Sequence, residues 1–129
     1  MSSLQQIALI VREYDEAIHF YTTQLGFELI EDKTMSETKR WVIIAPKGSD
    51  CQLLLAKAVG EEQISRIGNQ TGGRVFLFLY TDNFDVEYNY MKNNGVEFIR
   101  ERTEEDWGIV AVFKDLYGNL WDFIQRKKP

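Results

Sequence analysis

Cysteine, histidine and proline are scarce in this chain: one Cys, one His and two Pro among 129 residues. A single Cys51 cannot close an internal disulfide, so a reduced, cytoplasmic setting is expected. Two prolines, with 44% hydrophobic and 13% aromatic residues, describe a packed soluble chain rather than a disordered one. No apolar run approaches the length of a membrane span. The opening stretch, residues 1–11, lacks the basic start of a secretory signal, and its apolar run stops at Arg12-Glu13. Basic residues are outnumbered by acidic ones, for a net charge of −5. That balance argues against sequence-independent nucleic-acid binding, which depends on Lys and Arg neutralising phosphates. The basic end, Arg126-Lys127-Lys128, reads as a solvated tail.

Short strands and two helices fill the length. Residues 5–11 read as a strand, and Tyr14, Ala17, Ile18, Tyr21 and Leu25 then fall on one helical stripe that Gly26 ends. Strands follow at 27–31, 40–45 and 51–57, with 32–39 as a polar crossing and a turn around Gly48. A connector, residues 58–73, includes one short helix at about 61–67. The order then recurs: a strand at 74–81, a helix at 84–94 capped by Asp82-Asn83 and ended by Gly95, and strands at 96–100, 108–114 and 119–125. Aligning Asp15 with Asp85 gives an offset of 70, since 85 − 15 = 70, and Gly48 falls on Gly118 at the same offset. The expected class is α+β, with two tandem βαβββ modules: module one 1–57, linker 58–73, module two 74–129, together one domain.

The offset also pairs sheet positions. Gln52 corresponds to Asp122, and Gln6 to Phe76; if the modules enclose one concave surface, these four look into it together. Strand alternation adds Ala8, Ile10, Leu54, Phe78, Tyr80, Leu120 and Ile124 to that face. Cys51 falls on the helix side as a small buried hydrophobe. Phe76, Phe78 and Tyr80, with Trp41, Trp107, Phe113 and Trp121 as neighbours, suggest an aromatic-lined pocket in which Gln6, Gln52, Asp122 and the Tyr80 hydroxyl are the placed polar groups. Asp122, set between Leu120 and Ile124, is either a structural residue hydrogen-bonded to Gln6 or Gln52, or a general acid or base with its pKa raised by burial. Residues 101–106, rich in Glu and Asp, read as an acidic loop before Trp107. His19 reads as a partly exposed structural residue that forms no dyad with Cys51. At residues 115–119, Gly118 and Asn119 are expected to supply the positive φ angles of a tight turn.

Ile7-Ala-Leu-Ile-Val11, Ala17-Ile-x-Phe-Tyr21, Leu25-Gly-Phe27 and Phe113-x-Asp115-x-x-Gly118-Asn119 resemble the characteristic stretches of the vicinal oxygen chelate superfamily, which groups glyoxalase I, bleomycin-resistance proteins and extradiol dioxygenases. The resemblance implies a glyoxalase-like, incomplete eight-stranded barrel of paired βαβββ modules, often completed by a second subunit, hence a homodimer. In metal-using members one side chain from the first and one from the last strand of each module binds a divalent ion. Carried over, those positions are Gln6, Gln52, Phe76 and Asp122, where His or Gln, Glu, His and Glu are usual. Phe76 cannot coordinate and Gln52 is a neutral amide, so the resemblance implies no metal and no other cofactor; a hard divalent ion on Gln6, Gln52 and Asp122 oxygens is the alternative. The expected function is binding of a small organic molecule through Gln6, Trp41, Gln52, Phe76, Phe78, Tyr80, Trp107 and Asp122. The alternative is a lyase, isomerase or dioxygenase-like enzyme of the same superfamily, with Asp122 and Tyr80 as candidate catalytic residues.

Overall fold

Eight strands and three helices arise from two runs of the same local pattern, as the computed structural model shows for residues 1–128. Pro129, the last residue of the expected second module, lies outside the described residues. The chain divides into two compact units, Met1–Ile67 and a second beginning at Gly68. The first holds β1 (Gln6–Val11), α1 (Tyr14–His19), β2 (Glu28–Thr34), β3 (Arg40–Ala45), β4 (Gln52–Lys57) and α2 (Gly60–Ser65). The second holds β5 (Val75–Tyr80), α3 (Phe84–Asn93), β6 (Glu97–Glu105), β7 (Gly108–Lys114) and β8 (Leu120–Arg126). Each is an open βαβββ module whose first strand runs parallel to its last, in the orders β1-β4-β3-β2 and β5-β8-β7-β6. The α+β class and the tandem repeat are therefore as the alternation and the offset indicate. No helix among the described residues is long and apolar enough to cross a membrane.

In module one, the odd-numbered residues of β1 and β4 turn to the helix side: Leu9, Val11, Leu53 and Leu55 are buried, with Val42 and Ile44 of β3 joining them. Tyr14, Ala17 and Tyr21 supply the helix face. The helical stripe is widened after His19, where residues Phe20–Gln24 form a π turn and the Leu25 amide donates to the Phe20 carbonyl at 3.2 Å. That wider turn buries Phe20 beside Tyr21, while Ile18, expected on the stripe, is only half-buried. In module two, Phe84, Tyr88 and Met91 of α3 pack on the sheet, Phe84 stacking on Phe123 with ring centroids 4.6 Å apart.

Several local expectations change. Asn83 stands at the N-cap position of α3, but neither Asp82 nor Asn83 caps it by side chain; the Phe84 amide donates instead to Gln125 Oε1 of β8 at 2.7 Å. A tertiary acceptor has replaced the local one. Strand β2 runs on to Thr34, into the expected polar crossing. The acidic stretch is not a loop either: β6 extends to Glu105 and pairs with β7, with two register shifts. As an edge strand it tolerates charge, and its acids are held by Arg100, Arg102 and Lys92. Cys51 is exposed just before β4, so it is not the buried hydrophobe that strict alternation suggests, because the strand begins one residue later.

Candidate functional site

The turn that aims β8 is built around one buried carboxylate. Asp115, 5% exposed, accepts hydrogen bonds at Oδ1 from the amides of Tyr117 (2.9 Å), Gly118 (3.0 Å) and Asn119 (2.9 Å). Its Oδ2 accepts from Asn119 Nδ2 at 3.0 Å. Gly118 takes φ +110°, as expected, but no non-glycine residue among those described has a positive φ, so Asn119 serves by its side chain rather than its backbone. The Asn119 Oδ1 also accepts from the Gln70 amide, tying the turn to the segment that precedes β5.

From this turn β8 alternates strictly. Trp121 and Phe123 enter the helix-side core, where Phe113 and Trp121 stack at 5.6 Å. They therefore do not line a pocket with Phe78 and Tyr80, because odd and even positions of β8 face opposite ways. On the other face, adjacent strands place Phe78, Asp122, Val112 and Arg100 in one row. The next row carries Tyr80, Ile124, Val110 and Thr103. The 70-residue offset would set Phe76 beside Asp122. A register shift between Val75 and Leu77 sets Phe78 there instead, with Phe76 at the irregularity.

Phe78 and Tyr80 are 59% and 50% exposed, unusually open for large rings at the middle and end of a strand. Asp122 is half-buried between them and Val112, and within module two its side chain makes no hydrogen bond. Burial raises its pKa above the ordinary carboxylate value, and the positive charge of Arg100 offsets this in part. Arg100 itself donates to Thr103 Oγ1 at 3.1 Å and to Glu105 at 3.2 Å. Its place in the Asp122 row was invisible in the sequence, because two bulges in β6 set its register. The guanidinium of Arg126 lies 4.6 Å above the Tyr80 ring. Trp107, 51% exposed, sits in the turn between β6 and β7, at the Arg126 end of the sheet. It thus lies beyond Arg126, more than four residues along from Asp122, and does not share its row.

Module one presents a different set. Gln6 and Gln52 are register partners on parallel strands, as the offset argument requires, and neither amide side chain is hydrogen-bonded within the module. The following row on their face is Ala8, Leu54 and Ile43. Trp41 lies farther along, half-buried, where it lines a cavity of about 680 Å³ together with Leu54, Ala56 and Val59. His19 is exposed at the end of α1.

These donors do not suit a transition metal. Module one offers two neutral amides, and module two offers Asp122 beside Phe78 and Val112, neither of which can coordinate. Among the described residues no group of three or more His, Cys, Asp or Glu side chains is placed to hold an ion. What the module two face can do is stack planar groups on Phe78 and Tyr80, and accept a hydrogen bond or a proton at Asp122.

A family model described as the Glyoxalase/Bleomycin resistance protein/Dioxygenase superfamily matches residues 3–123. An uncharacterised protein of Shewanella frigidimarina is 56% identical over 125 residues, covering 95% of this chain and 93% of its own. The crystal structure of UcmS2 is similar at a TM-score of 0.83 and 28% identity, covering 96% of this chain and 98% of that one. The structure of TnmS3, an antibiotic binding protein from Streptomyces sp. CB03234, is similar at a TM-score of 0.78 and 27% identity, covering 98% of both chains.

Proposed function

This chain belongs to the glyoxalase/bleomycin resistance protein/dioxygenase superfamily, and we propose that within it the protein binds a small organic molecule on the open face of module two, without a metal. One observation carries the reading: two exposed aromatic rings of β5, Phe78 beside Asp122 and Tyr80 in the next row, adjoin a half-buried carboxylate that has no hydrogen-bond partner in its own module. Monomeric proteins rarely expose contiguous large apolar groups without use, and a buried polar group without a partner is unfavourable. A ligand with a flat apolar body and one hydrogen-bonding group resolves both. The similarity to TnmS3, an antibiotic binding protein, supports this class of ligand.

The test is a thermal-shift and calorimetric screen of aromatic antibiotics against the full chain. At least one should raise the melting temperature, and Phe78→Ala should weaken its binding about three- to tenfold, the loss of one ring contact at about 0.5–1.5 kcal/mol. No stabilising compound, or binding indifferent to both Phe78→Ala and Tyr80→Ala, would sink the reading. The raised pKa of Asp122 also suits a proton-transferring enzyme, a lyase or isomerase. Asp122→Asn separates the two: turnover of any substrate would vanish in the enzyme, whereas a binder retains most of its affinity. The exposed rings also suit coverage by a second copy, and we read the protein as a homodimer; sedimentation at a single monomer mass across micromolar concentrations would contradict that.

A further inference from the structure

The module one cavity has a chemistry that the module two face lacks. Its walls include Trp41, Leu54, Ala56 and Val59, and its charged lining is Lys39, Arg40 and Lys57, with no Asp or Glu among the lining residues. That is the reverse of the chain as a whole, which carries a net charge of −5. The three cations are not equivalent. Arg40 is bound to Asp32 at 2.6 Å and Asp15 at 2.8 Å, and Lys57 lies 3.3 Å from Glu13. The ammonium of Lys39 makes no ion pair among the described residues. It is nevertheless held in place by its backbone, whose amide donates to Ser36 Oγ at 3.1 Å and whose carbonyl accepts from the Met35 amide at 2.8 Å.

Two neutral donors accompany it. The Gln63 side chain accepts from the Val59 amide through Oε1 at 2.9 Å, which orients the side chain and leaves its NH₂ group to donate. Thr38 lines the same cavity. A volume of about 680 Å³ lies within the range of sites for small organic molecules. The wall formed by Val59 and Gln63 belongs to the segment of α2, which buries none of its residues, so it can shift to admit a ligand without disturbing the core.

We propose that this cavity is a separate binding site for an organic anion with an apolar, aromatic or acyl body: Lys39 meets the anionic group, Gln63 and Thr38 donate to it, and Trp41 with Leu54 and Val59 encloses the body. A neutral ligand leaves the Lys39 charge unmatched, and a cation is repelled by it. Arg40 and Lys57 are already neutralised by Asp15, Asp32 and Glu13, so the charge preference rests on Lys39. The site therefore selects by charge sign, and the apolar walls supply most of the affinity.

The probe is 2-naphthoate, titrated into the full chain by calorimetry alongside 2-naphthamide and 2-naphthylmethylamine. The acid should bind at least about tenfold tighter than the amide and the amine, a difference of about 1.4 kcal/mol. Lys39→Glu, at an exposed turn position where folding is not at stake, should abolish that preference, and Leu54→Trp should remove binding of naphthoate by filling the cavity. Should Leu54→Trp fail to fold, Val59→Trp, at a position 75% exposed, blocks the same volume. Phe78→Ala, on module two, should leave naphthoate binding unchanged. The proposal is overturned by an absence of heat up to millimolar naphthoate, by equal binding of the three probes, by an unaltered preference in Lys39→Glu, or by loss of binding in Phe78→Ala.

Discussion

Replacing Asp115 by alanine should cost the protein about 2–4 kcal/mol, and the figure follows from how its bonds are distributed. Oδ1 accepts from three successive backbone amides at 2.9–3.0 Å, and Oδ2 from the Asn119 side chain. The three amides fare differently when the carboxylate is removed. That of Gly118 retains the Asp115 carbonyl at 3.2 Å, and Tyr117 is only half-buried, so water can replace part of what it loses. Asn119 is 3% exposed, and its amide would be left buried without that acceptor. One fully lost hydrogen bond to a charged group contributes about 1.5–3 kcal/mol, and the partial losses add about 1 kcal/mol, with further relaxation lowering the sum. For a chain of 129 residues, roughly 4 °C per kcal/mol then predicts a melting temperature lower by about 8–16 °C. Asp115→Asn keeps one oxygen acceptor but turns an amide towards Asn119, so it should fall about midway. The assay is urea and thermal unfolding followed by circular dichroism, with the slope of the urea transition unchanged. A loss below about 1 kcal/mol for the alanine variant would refute the reasoning, as would an asparagine variant as damaged as the alanine one.

Gly68→Ala should be more severe than a surface glycine replacement. Its φ is +77°, and an added Cβ would overlap the Tyr117 carbonyl oxygen, so the backbone penalty of about 1–2 kcal/mol is a lower bound; Gly72→Ala, with open space around it, serves as the control in the same unfolding assay. Gln125→Ala removes the acceptor for the Phe84 amide and should cost about 1 kcal/mol, read as earlier fraying of α3 by amide hydrogen exchange. For Asp122, the folded carboxyl has the higher pKa, so the native state binds more protons than the unfolded one and stability falls as pH rises from the ordinary value of 3.8 through the raised one. Asp122→Asn should accordingly raise the melting temperature slightly at pH 7 and leave it unchanged below pH 3.8; a lower melting temperature at pH 7 would show that the carboxylate is stabilising after all.

The features legible in the sequence are those set by neighbours along the chain. Two-residue alternation assigned Ala8 and Leu54 in module one, and Asp122 and Ile124 in module two, to the face turned from the helices, because a strand cannot rotate one side chain without its neighbours. The turn at 115–119 was legible for the same reason, since every group in it comes from five consecutive residues. The repeat was legible as an offset of 70 residues, but it did not carry register from one module to the other: Gln6 pairs with Gln52, whereas Phe78, not Phe76, pairs with Asp122. Wherever a bulge or a distant side chain intervenes, that legibility ends. The shift at Phe76 replaced it with Phe78 beside Asp122, and the bulges in β6 brought Arg100 into the same row. Gln125, 41 residues away, took over the cap that Asn83 could have supplied.

The sequence by itself thus determined the α+β repeat, most faces of the strands and the tight turn at 115–119, all products of short-range covalent geometry. Only the tertiary structure decided which residues stand side by side across strands, and that a cation-lined cavity opens beneath α2 in an acidic protein. Register and enclosure depend on packing between segments far apart in the chain, and no local window of residues contains that information.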